Sequence, residues 1–81
     1  MPFKPDLVDE LNILLKFKAS SQEGIKVHNT AAPDLVNATQ RLFDKGMVTQ
    51  DDGGYLTERG HEAVLHAQAL HTVLTAIANE A

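Results

Sequence analysis

The stretch from Thr39 to Gly60, TQRLFDKGMVTQDDGGYLTERG, constrains the fold more than any other part of the chain. Met47–Gln50 and Tyr55–Thr57 are β-prone runs, and between them stands Asp51-Asp52-Gly53-Gly54. Asp and Gly in that order supply what a hairpin turn needs, because its central residues take positive φ and Gly does so without steric cost. The spacing therefore predicts a two-stranded hairpin, with Tyr55 as a packing residue on it. Gly46 is a natural residue to end the helix before the hairpin. Thr57 can cap the helix after it by accepting a bond from a free backbone N–H, with Glu58 at the positive end of the dipole.

The flanking segments fit around this unit. Pro5 with Asp6, Asp9 and Glu10 marks a helix start, and the apolar spacing predicts a helix to about Lys18. Its inward face is read as Leu7, Val8, Leu11, Leu14 and Leu15, with Ile13 and Phe17 at the margins. Ala19–Gly24 reads as a turn, and Ile25-Lys26-Val27-His28 alternates like a short half-buried strand with Lys26 and His28 outward. Pro33 and Asp34 open a second helix, about Pro33 to Lys45, with an inward stripe of Leu35, Ala38, Thr39, Leu42 and Phe43. From His61 to Asn79 the pattern is helical again. Ala63, Ala67, Leu70, Leu74 and Ile77 follow alternating steps of four and three, and Val64, Val73 and Ala78 widen the stripe to roughly half the circumference.

A stripe that wide exceeds what one small domain needs. With 81 residues there is room for one domain and a modest core. The expectation is that the last helix packs partly on its own domain and partly on the same helix of a second copy, through Ala67, Leu70, Leu74 and Ile77. The fold class is α+β, mostly helical: helix, short strand, helix, β-hairpin, long C-terminal helix.

Composition limits function. Without cysteine there is no thiolate nucleophile and no cysteine-ligated metal, which suits a reducing cytoplasm. The amino terminus carries acids where a signal peptide is apolar, and no run of about eighteen apolar residues occurs, so no membrane partner is expected. Net charge is −4, with residues 1–46 balanced and residues 47–81 carrying Arg59 against Asp51, Asp52, Glu58, Glu62 and Glu80. Any nucleic-acid surface must lie in the first part.

The segment RLFDKGMVTQDDGGYLTERG resembles MarR-like and PadR-like winged-helix regulators, in which a recognition helix ending in Lys-Gly leads into a wing and a Leu-Thr-x-x-Gly turn starts the next helix. The chain is also similar to a family of small bacterial hypothetical proteins labelled at best as DNA-binding. The resemblance implies a winged helix and double-stranded DNA as partner. A full helix-turn-helix has two helices before the wing. Ala19–Ala32 leaves space for at most one helical turn in place of the first, so the helix-turn-helix is shortened.

On that reading, Asn37, Gln40 and Arg41 face out from the second helix toward base edges, and Lys18, Lys26 and Lys45, with Lys16 and His28, stand near phosphates. The competing reading is an ordinary solvated face with dispersed lysines, favoured by Asp34 and Asp44 at the helix ends. Asp51 and Asp52 at the wing tip would meet phosphate with two negative charges and are assigned to turn formation. His61, His66 and His71 are spaced by five, about 140° apart around a helix, which is wrong for a metal pair, and no cofactor or small-molecule ligand is indicated. Neither Ser20, Ser21 nor Thr57 has a base and an orienting acid at recognisable spacing, so no enzyme is expected. The remaining alternative is the same fold used as a protein-interaction or dimerisation module without DNA.

Overall fold

The structure, a computed structural model, describes residues 2–17 and 24–79, with side chains through residue 76. The fold is α+β: α1 (Pro5–Leu14), β1 (Ile25–Lys26), α2 (Pro33–Asp44), β2 (Val48–Gln50), β3 (Gly53–Leu56) and α3 (Glu58–Asn79). α1 packs chiefly on α2 and to a lesser extent on α3, while β2 and β3 lean on α2. The core between them is Ile13, Leu14, Phe17, Ala38, Leu42, Val48 and Val64, with Ile25, Val27, Leu35, Met47, Leu56 and Ala63 packed around it.

α1 is shorter than its apolar spacing predicts and is rotated about its axis. It ends at Leu14, and the chain tightens into i→i+3 bonds, Lys16 N–H to Ile13 O and Phe17 N–H to Leu14 O, both near 3 Å. That tightening carries Phe17 into the core, where it is 2% exposed. The buried face is Glu10, Ile13, Leu14 and Phe17, whereas Val8 is exposed and Leu7, Leu11 and Leu15 are only half-buried. Ile13 and Phe17, expected at the margin, stand at the centre. The expected turn at Ala19–Glu23 lies outside the described residues.

α2 matches its expected bounds. Ala38, Thr39 and Leu42 are buried, and Thr39 satisfies its hydroxyl on Leu35 O at 2.7 Å, so a polar side chain is tolerated inside. Phe43, expected inward, is instead 42% exposed. The helix closes as a Schellman motif: Met47 N–H bonds to Leu42 O at 2.9 Å and Gly46 N–H to Phe43 O at 3.0 Å, with Gly46 at φ 77°.

The sheet has the order β1-β3-β2, all antiparallel among the described strands. β1 is thus not a free-standing strand; Ile25 and Lys26 pair with Gly54 and Gly53. Those two glycines belong to β3 rather than to the turn, which is Asp51-Asp52, and the β2–β3 register shifts by one between Val48/Leu56 and Gln50/Gly53. This bulge, with φ 125° at Gly53 and 73° at Gly54, brings β1 so close that a Cβ on Gly53 would stand 2.6 Å from Ile25 O. Tyr55, expected to pack on the hairpin, is 57% exposed. Val27–Ala32 then makes a single turn, closed by Ala31 N–H to His28 O at 2.9 Å, before α2 begins.

Thr57 joins hairpin and α3. Its hydroxyl accepts from Gly60 N–H at 3.0 Å, the N-cap bond expected from sequence, and donates to Gly46 O at 2.5 Å, while its own N–H bonds to Met47 O at 3.0 Å. α3 runs 22 residues, about 33 Å at 1.5 Å per residue. Only its first half is covered. Gly60 and Val64 are buried and His61, Ala63, Ala67 and Gln68 half-buried, but every residue from Ala69 to Ala76 is exposed. The helix therefore projects beyond the domain, whose longest dimension is 41 Å against 28 and 21 Å.

Candidate interaction surfaces

Two surfaces follow from this framework, one around α2 and one on α3. Glu10 organises the first. It sits four residues before Leu14 and three before Ile13, on the apolar face of α1, so its carboxylate is carried against α2 and its side chain is only 5% exposed. Arg41 and Lys45, one turn apart on α2, meet it there. Arg41 Nε donates to Glu10 Oε2 at 3.1 Å and Nη2 to Asp6 O at 3.0 Å, and Lys45 Nζ pairs with Glu10 Oε1. Burial by itself pushes the Glu10 carboxyl up, but the hydrogen bonds and charges of Lys45 and Arg41 together outweigh it and hold the group below its ordinary 4.5. No buried side-chain N or O among the described residues lacks a partner.

Arg41 is consequently not an outward residue. Its side chain is 31% exposed and turned to α1, so the expectation that it faces out from α2 is corrected: the cationic pair on α2 neutralises an internal acid. Asn37 and Gln40 are exposed on α2. Gln40 shares a groove of about 330 Å³ with Lys26, His28, Asp51 and Asp52. Two carboxylates line that groove beside one lysine. Of the six residues expected to meet DNA, Gln40 and Lys26 come together, Arg41 and Lys45 form a separate cluster, Asn37 stands apart from the groove, and Lys18 lies outside the described residues. Lys16 and Lys26 meet with His28 in a second groove of about 290 Å³, while Arg41 and Lys45 are paired with Glu10.

On α3, Leu65, Leu70, Val73 and Leu74 are each at least half exposed, at 51%, 50%, 53% and 61%. Ala67 is half-buried, and the side chain of Ile77 lies outside the described residues. From Ala63 to Asn79 the sequence has no Asp, Glu, Lys or Arg. His66 and His71 are exposed within this stretch, and no group of three or more metal-ligating side chains occurs among the described residues. Nor is any helix there long and apolar enough to cross a membrane.

Sequence reasoning missed Glu10. The signal was present: an acid at the i+3 position from Leu7 and the i−3 and i−4 positions from Ile13 and Leu14 cannot leave the apolar face, and two cations at i and i+4 on one later helix are its natural partners.

Residues 1–75 match the model of a family described as a family of unknown function, DUF5669. The chain belongs to that family. The family match spans all of the Glu10 cluster, the hairpin and α3 as far as Thr75. No curated protein and no solved structure is matched by the chain.

Proposed function

We propose that this chain is a winged-helix-like protein-interaction module of the cytoplasm, that α3 is its docking element, and that it does not grip duplex DNA. The observation that carries the reading is the outer half of α3, where Leu70, Val73 and Leu74 stand half or more exposed in an uncharged stretch. Contiguous apolar surface of this kind on a small domain marks a site of protein contact. The element order and the β1-β3-β2 sheet support a winged-helix likeness, with the turn at Asn29–Ala31 in place of a helix. The lack of cysteine suits a reducing compartment.

Charge argues against the DNA reading. Affinity for duplex DNA comes largely from lysines and arginines that displace counterions from phosphate. Here Arg41 and Lys45 are committed to Glu10, and the wing tip adds Asp51 and Asp52. What remains near α2 is Asn37 and Gln40 with Lys16, Lys26 and His28, and Asp51 and Asp52 share the Gln40 groove with Lys26 and His28.

The test has two arms. Fluorescence anisotropy of a random-sequence duplex at low salt is expected to show no binding; a salt-sensitive complex abolished by Lys26→Glu would overturn the reading. In cells, a photo-crosslinking amino acid in place of Val73 is expected to give an adduct identified by mass spectrometry as polypeptide, while one in place of Asn37 gives none. Nucleic acid captured from position 37, or nothing from position 73, counts against it.

A further inference from the structure

We infer that the occupant of the α3 surface is a second copy of this chain, and that the two α3 helices pair antiparallel, with Leu70 over the partner's Ala67 and Leu74 over the partner's Ala63. This rests on the reading of α3 as the docking element and names what docks there.

Three observations lead to a second copy in this orientation. The first is charge. Each chain carries −4, so two copies repel over most of their surface, yet Ala63–Asn79 holds no formal charge and lets like meet like. The second is continuity. Ala63 already packs against the core, and the stripe Ala63, Ala67, Leu70, Leu74 runs from there out along α3 without a break, so a partner helix would extend the existing core.

The third is size. The stripe is small where α3 leaves the domain, at Ala63 and Ala67, and large beyond it, at Leu70 and Leu74. Both alanines are half-buried and still accessible, while the leucines are 50% and 61% exposed. Parallel pairing would set alanine against alanine and leave a gap between the helices beside the domain bodies. Antiparallel pairing sets each leucine on an alanine, with the two-fold axis between Gln68 and Ala69, and places the two domain bodies at opposite ends. The same patch on both copies makes the contact isologous and closed, so it stops at a dimer. Antiparallel helix dipoles also favour this orientation. The overlap from Ala63 to Leu74 is about 17 Å by helical rise, a small interface, so the dimer is expected to dissociate on dilution.

The experiment uses the full chain. Sedimentation equilibrium should show a monomer–dimer equilibrium across the micromolar range, and Leu70→Asp should weaken it about a hundredfold, since each dimer would bury two carboxylates in apolar contact. Leu70 is half exposed in the single chain, so the helical circular dichroism of that variant should match the wild type. Orientation is read by disulfides, which the cysteine-free sequence makes unambiguous. Ala67→Cys mixed with Leu70→Cys should oxidise to the mixed 67–70 disulfide. Homodisulfides at 67 and at 70 without the mixed product would show parallel pairing and overturn the orientation. A strict monomer at every concentration would overturn the second copy as occupant; the protein-interaction reading would survive that result only if the crosslinker at Val73 captured a different polypeptide.

Discussion

Arg41 Nε reaches Glu10 Oε2 at 3.1 Å across 31 positions of the chain, joining α2 to α1 through a carboxylate that has almost no contact with water. The two ends of this contact differ in exposure, and so do the consequences of removing them. Glu10 is 5% exposed, Arg41 31% and Lys45 50%. Arg41→Ala leaves a buried carboxylate with one cation, and should cost about 1–3 kcal/mol. Glu10→Gln keeps the packing and leaves two cations that can turn to water, and should cost about 1 kcal/mol or less. Urea denaturation of both variants checks the order; a larger loss for the Glu10 variant would contradict it.

Acid should weaken the same contact. The Glu10 carboxyl lies below its ordinary value in the folded chain, so it favours the folded state at pH above the ordinary glutamate range, and that contribution is lost as pH falls through the folded value. Comparing urea midpoints at neutral pH and near about pH 3 should show a smaller acid-induced drop for Glu10→Gln than for wild type. Equal drops would mean that Glu10 does not contribute to acid sensitivity.

Thr57 holds the helix cap and the hairpin base with one hydroxyl, through Gly60 N–H and Gly46 O. Thr57→Val keeps the shape and removes both bonds. A loss of about 1–2 kcal/mol is expected, a fall in Tm of roughly 4–8 °C per kcal/mol for a domain of this size. Thermal unfolding followed at a helical wavelength measures it.

At Gly60 the usual sign of a glycine substitution should reverse. Alanine inside a helix is better than glycine by about 1 kcal/mol. At Gly60 a Cβ would collide with the Met47 carbonyl oxygen, which is fixed by its bond to Thr57 N–H, so Gly60→Ala should destabilise by about 1–3 kcal/mol. A gain in the urea midpoint would show that the strand end moves aside freely.

Much of the frame could be read locally. Gly46 ending α2, Thr57 capping α3 and Pro33 opening α2 are all decided by backbone groups within a few residues, and such chemistry is the same in any fold. The α3 stripe was likewise legible, because a period is a property of the helix alone. Phe43 and Val8 were not. Both satisfy a helical period, but which part of an amphipathic helix is covered depends on the neighbour, and α2 and α1 bury Leu42 and Ile13 in the shared core instead.

The candidate sites divide along the same line. Residue order alone shows that the last helix carries more apolar surface than an 81-residue domain needs, and that the turn before β3 is acidic. That Arg41 and Lys45 pair with Glu10, and that coverage of α3 stops near Gln68, follows from how the helices pack. Spacing along the chain fixes the direction a side chain leaves its helix. What it meets there, a carboxylate from 31 positions away or open water, is set by how separate helices pack, and that information is spread over residues that are not neighbours in sequence.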